Sequence, residues 1–158
     1  MLLNGVVQRK LALLDKQVAN LEERLQSVDQ ARFEADWGVR AMSERAVQVM
    51  AEIMIDVAER IIALKNAGPV ATAADAMDRL VQLRVIAAAD TYRQIVRFRN
   101  LIVHHYEEVD PALLYDIVRH GLNDVRRFRD EIDRWQTEND SLSGGEGKMK
   151  DIRQDEQD

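Results

Sequence analysis

The stretch VVQRKLALLDKQVANLEERLQSV, residues 6–28, decides the fold. Val7, Leu11, Leu14, Val18, Leu21, Leu25 and Val28 recur at spacings of 4, 3, 4, 3, 4 and 3. That alternation draws one apolar stripe along a helix of about seven turns. A stripe this long needs a partner surface. Packing inside a bundle is the first reading, and a coiled-coil seam to another chain is the second.

The same spacing continues downstream. Asp29 to Gly38 mixes Phe33 and Trp37 with polar residues and reads as a connector. A second helix is expected from Val39 to Asn66, with Val47, Met50, Met54, Val57, Ile61 and Leu64 inward. Asn66-Ala67-Gly68-Pro69 supplies its stop, a glycine followed by proline. Thr72-Ala-Ala-Asp75 resembles a capping arrangement and opens a short helix to Arg84, with Ala76, Leu80 and Leu83 inward. A fourth helix passes through Tyr92, Ile95, Phe98 and Ile102 and ends near His104. Asp110-Pro111 restarts the chain as cap and first helical residue. The last helix then buries Leu114, Val118, Leu122, Val125, Phe128, Ile132 and Trp135. The expected fold is all-α: an antiparallel bundle of four main helices plus a short one. The domain spans 1–135, and 136–158 reads as a disordered acidic tail.

Composition agrees and sets limits. Of 158 residues, 46% are hydrophobic and 32% charged, with only 7 Gly and 2 Pro, which favours one helical domain. The absence of cysteine excludes disulfides, thiolate metal sites and cysteine nucleophiles. No apolar run approaches a membrane span, and the N-terminus is broken by polar residues too early for a secretory signal, so the expected location is cytoplasmic. The net charge of −6 is uneven. Residues 136–158 carry seven acids and three bases, leaving a body of 19 bases and 21 acids that can still present a basic face.

The chemistry concentrates in Arg97-Phe-Arg-Asn-Leu-Ile-Val-His-His-Tyr-Glu-Glu108, which holds two of the three histidines. Arginine offers a planar fork of donors that fits phosphate oxygens and stays charged. Histidine titrates near neutrality and can move a proton from a ribose 2′-hydroxyl or to a leaving oxygen. RNA brings its own nucleophile, so acid–base chemistry and charge stabilisation suffice without metal or cofactor. Geometry constrains the pair. Arg99 and Tyr106 are seven apart and share a face if the helix continues, whereas Arg99 and His104 are five apart and do not. They converge if the helix frays near His104, or if a second subunit completes the site. Simpler roles exist for the same residues: dipole stabilisation for Arg and His at a helix end, and packing for Tyr106.

Arg99-Asn-Leu-Ile-Val-His104-His105-Tyr106 fits the R-x4-H-x-Y pattern and resembles the HepT toxins of the HEPN superfamily. The long helix around Arg45 to Ile62 before it, and Asp110-Pro111 with an amphipathic helix after it, look similar too. The resemblance covers most of Met1 to Trp135. It implies an HEPN-like fold and an endoribonuclease toxin, with Arg99 and His104 as the ribonuclease pair and Asn100 as the polar residue that follows the arginine. It implies a homodimer with the motif at the interface. It further implies silencing by an MntA-like nucleotidyltransferase antitoxin that transfers AMP to Tyr106. His105 fills the variable position and brings a second imidazole beside His104, while the tail from Gln136 lies outside the family pattern.

Other groups have two readings each. Arg93 and Arg97, four apart, either guide an RNA backbone or form a solvated face. Arg119, Arg126, Arg127 and Arg129 are read as surface-paired through Asp124 and Asp130. Asp116 with His120, and His104 with Glu108, lack a third metal ligand, and His120-Gly121 reads as a tight helix contact. Glu52, Asp56 and Glu59 either orient Arg99 or serve the surface. Besides the nuclease, two further functions fit: a non-catalytic helical binding partner of a nucleotidyltransferase, and a structural adaptor assembled through Val7 to Val28.

Overall fold

The computed structural model describes residues 2–104 and 109–155, with side chains placed over 5–104 and 109–141. His105 and Tyr106 therefore lie outside the described residues. The long helices are α1 (Leu2–Leu25), α3 (Trp37–Leu64), α5 (Asp90–His104) and α7 (Leu122–Asp155); α2 (Gln30–Ala35), α4 (Ala73–Gln82) and α6 (Pro111–Asp116) are short. No strand occurs among the described residues. The fold is an all-α antiparallel bundle, as the apolar spacing requires.

The α1 stripe is buried from end to end, with Leu11 and Leu14 wholly enclosed and Val28 buried just past the helix. It faces α3 and α7. Charged contacts fix the antiparallel register of α1 and α7. Gln8 reaches Gln136 at 2.8 Å, Arg129 reaches Asp15 at 3.2 Å, Arg126 pairs with Glu22, and Arg119 holds the carbonyls of Leu25 and Val28. Arg119, Arg126 and Arg129 thus reach across to the first helix, while the expected pairs also form, Arg127 with Asp124 at 2.9 Å and Arg129 with Asp130 at 3.6 Å.

Asp29 to Gly38 is not a plain connector. Asp29 accepts from the Arg32 backbone N–H at 2.8 Å and caps α2, whose Phe33 is fully enclosed against Tyr115 at 5.3 Å between ring centroids. Trp37 instead opens α3 and stays 68% exposed. A single large apolar residue on a six-residue helix leaves no periodicity to read.

α3 ends in a Schellman motif: Ala67 N–H donates to the Ile62 carbonyl and Asn66 N–H to that of Ala63. The left-handed residue is Asn66, at φ 52°, so the stop lies two residues before the expected glycine. Val85 N–H to Leu80 and Arg84 N–H to Val81 close α4 in the same way, with Arg84 at φ 60°. Thr72 and Asp110 cap α4 and α6 as expected. Met77, rather than Leu83, completes the buried face of α4, and Leu64 is 44% exposed at the end of α3.

The last helix expected from Pro111 is interrupted. Ile117–Gly121 forms a π-helical turn between α6 and α7. The extra residue rephases the helix, so that Leu114 ahead of the interruption, Val118 within it and Leu122 and Val125 after it all stay buried. Gly121 makes no tight contact, since an added Cβ would meet only Ile117 at 3.4 Å. α7 also continues past Trp135. Gln136 is buried, Asn139 accepts from Lys65 at 3.3 Å, and the backbone stays helical to Asp155. The polar residues that extend the packing, Gln136 and Asn139, carry no apolar spacing.

Phe33→Ala is expected to lower unfolding free energy in urea by about 3–5 kcal/mol, through a buried cavity. Trp37→Ala should stay within about 0.5 kcal/mol of wild type in the same measurement, because its ring is already in solvent.

Candidate functional site

α5 carries every described residue of the candidate set, and its helical phase decides which meet. Tyr92, Ile95, Val96 and Phe98 are buried and lock the inner face. Arg93, Arg97, Asn100 and His104 then follow at spacings of 4, 3 and 4, one stripe on the opposite side. Arg97, Asn100 and His104 are exposed. Arg93 is half-buried and its Nη1 stands 3.6 Å from Asp78 Oδ1 of α4.

Arg99 does not join that stripe. Its direction differs from that of His104 by about 140° on an ideal helix. It is half-buried, and its Nε is enclosed without a hydrogen-bond partner. It lines a cavity of about 350 Å³ with Val49, Ile53, Glu52, Asp56 and Glu59 of α3. The α3 carboxylates do surround Arg99, although no ion pair to it lies within 4.0 Å among the described residues. Asp56 is engaged by Lys10 of α1, and Glu52 accepts from Gln48 at 3.1 Å.

The helix is intact through His104, so fraying before that residue does not bring the two side chains together. Arg99 and His104 of one chain leave from different faces. Around them the end of α5 is apolar and uncovered: Leu101 is 40%, Val103 44% and, from α6, Leu113 42% exposed. Leu101 and Leu113 line a largely apolar groove of about 320 Å³ with Ile95, Phe98, Ile117 and Arg97. Asp116 and His120 at its rim stand 3.7 Å apart and are mostly in solvent. No group of three His, Asp or Glu side chains among the described residues is placed to hold a metal ion. No helix among them is long and apolar enough to cross a membrane.

A polar clamp orients the start of α5. Tyr92 donates to Glu131 Oε1 at 2.5 Å and accepts from Arg127 Nε at 3.3 Å, with its ring edge-on to Phe128. Glu131 also accepts from the Ala87 backbone N–H at 2.7 Å, tying down the turn before the helix. Sequence reading finds Tyr92 as a core residue, but its partners lie 35 and 39 positions away and leave no local signal.

Burial, followed by the hydrogen bond to Glu131, raises the Tyr92 phenol above its ordinary value of 10.0, against the opposing Arg127 contact. The native state therefore holds this proton more tightly than the unfolded chain does. Its contribution to stability is complete below pH 10 and is lost as pH rises toward the folded value. Denaturant titrations of Tyr92→Phe should show a deficit of about 1.5 kcal/mol at pH 7, from the lost bond to a charged acceptor. That deficit should narrow above pH 10; a constant deficit would contradict the linkage.

Comparison with known proteins places this architecture. The chain is 26% identical over 134 residues to mRNA nuclease HepT of Shewanella oneidensis, across 82% of this chain and 98% of that protein. Among solved structures, the tri-AMPylated HEPN toxin of Shewanella oneidensis in complex with MNT antitoxin superposes with a TM-score of 0.75 at 24% identity, covering 82% of this chain and 97% of that one. YutE of Bacillus subtilis, a cytosolic protein of unknown function, shares the fold at a TM-score of 0.72 and 17% identity, over 84% and 89% of the two chains. Residues 14–132, carrying the α1 stripe from Leu14 onward, the α3 cavity wall and the Arg99–His104 segment, match the family described as Ribonuclease HepT-like, and the chain belongs to that family.

Proposed function

We propose that this protein is an endoribonuclease toxin of a toxin–antitoxin pair, cutting RNA without metal through Arg99 and His104 at a dimer interface. The divergence of those two side chains on one unbroken helix carries the reading. A single subunit does not gather them about one phosphate, whereas a twin related by a two-fold axis supplies the missing member of each pair. The exposed Leu101, Val103 and Leu113 beside them provide an apolar surface for such a contact.

In that arrangement Arg99 holds a non-bridging phosphate oxygen and offsets charge as the ribose 2′-oxygen attacks. His104, exposed at the end of α5, moves the proton from the 2′-hydroxyl or to the departing 5′-oxygen. Asn100 and Arg97 share the His104 face and support the RNA there, with Arg93 one turn back and His105 next to His104 in sequence. The partner is an MntA-like nucleotidyltransferase that places AMP on Tyr106. The added phosphodiester anion and adenosine block the cleft and repel RNA phosphate.

Purified protein in EDTA should cleave single-stranded RNA, and His104→Ala or Arg99→Ala should lower kcat by about 100-fold or more. Neither variant should arrest bacterial growth. An equimolar mixture of the two inactive variants should recover about a quarter of wild-type activity, since half of random dimers carry one intact shared site. No recovery on mixing excludes the shared site, and wild-type rates in His104→Ala exclude the mechanism. Protein that binds RNA and never cuts it would favour the non-catalytic alternative. Co-expression with the nucleotidyltransferase should add AMP detectable by mass spectrometry, absent in Tyr106→Phe; persistence there would identify another acceptor.

A further inference from the structure

The cavity at Arg99 has a neighbour on the same helix. Val49, on its wall, also lines a larger groove of about 880 Å³ between α1 and α3. Gln17, Asn20, Glu23 and Arg24 of α1 and Met42 and Arg45 of α3 face that groove. Arg45 lies seven residues before Glu52, about 10 Å along the helix axis. α1 runs antiparallel to α3 and to α7, and α5 runs antiparallel to α7, so α3 and α5 are antiparallel and Arg45 lies in the direction in which α5 runs from Arg99 to His104.

The two arginines of the groove differ from those that hold the helices together. Arg119, Arg126, Arg127 and Arg129 are held by carbonyls and carboxylates, Arg79 by the Ala67 carbonyl, and Arg93 by Asp78. Arg24 and Arg45 are exposed and form no hydrogen bond or ion pair among the described residues. Glu23 is the one carboxylate among the groove residues, so the lining carries a net positive charge. Gln17 and Asn20 add amide donors and acceptors, and Met42, 37% exposed, adds a soft apolar surface.

A strand of single-stranded RNA matches this lining. Its phosphates suit the forked guanidinium groups, its bases lie on apolar surface, and its 2′-hydroxyls and amino groups donate to carboxylates such as Glu23. We propose that the α1–α3 groove is a subsite for the RNA strand flanking the phosphate at Arg99, with Arg24 and Arg45 holding its backbone. The subsite rests on the nuclease reading and deepens it, since it names the path of the substrate away from the reacting centre.

The test uses the full-length chain. Binding of a fluorescein-labelled single-stranded RNA is followed by anisotropy across a salt series in His104→Ala, and cleavage is followed with His104 present. Arg24→Gln with Arg45→Gln should weaken binding about tenfold and lower the slope of log affinity against log salt by about 0.7 for each phosphate contact removed. KM should rise while kcat holds. Arg134→Gln, which removes the same charge beside Trp135 on another face, should change neither. Unchanged affinity and salt slope in the double variant, with RNA still cut, overturn the subsite and leave the nuclease intact. A wild-type protein that neither binds nor cuts RNA overturns both. Intact RNA binding with a weakened nucleotidyltransferase complex assigns the groove to that partner and likewise overturns the subsite.

Discussion

The helical phase of α5 is the constraint from which the site follows. Tyr92, Ile95, Val96 and Phe98 are committed to the core, and an α-helix turns about 100° per residue. With the inner face fixed, Arg99 points at α3 and His104 points away from it. Neither is free to turn toward the other without unwinding the helix or emptying the core. A rigid element with divergent side chains is the geometry from which the proposed two-copy site is argued.

That phase is held by polar contacts as well as apolar ones. The Tyr92 hydroxyl sits between Glu131 and Arg127, and Glu131 also secures the Ala87 amide. The start of α5 is thereby pinned to α7, about two turns before Arg99. α7 is in turn registered on α1 by Gln8, Asp15 and Glu22. The candidate residues thus stand on a framework in which each long helix is indexed to another, as a preorganised site requires.

Charge distribution divides the surface into two kinds of arginine. Arg119, Arg126, Arg127 and Arg129 are consumed in contacts that hold helices together and present little free positive charge. Arg24, Arg45 and Arg97 remain available to an anion, although the chain as a whole carries −6. Net charge is therefore a poor guide to what this protein binds.

The sequence by itself determined the long helices, the caps at Thr72 and Asp110, and the segment from Arg99 to Tyr106, because each is written in local spacing or local chemistry. It also showed that Arg99 and His104 do not share a face, since that follows from counting residues along one helix. It did not disclose α2, the π-turn, Asn66 as the left-handed residue, or the continuation past Trp135. In those places a single buried ring, a rephased backbone or a distant polar partner decides the outcome. The carboxylate-lined cavity around Arg99 and the neighbouring groove at Arg24 and Arg45 were decided only by the tertiary structure. They join α1, α3 and α5 through contacts between residues far apart in the chain, and no periodicity encodes them.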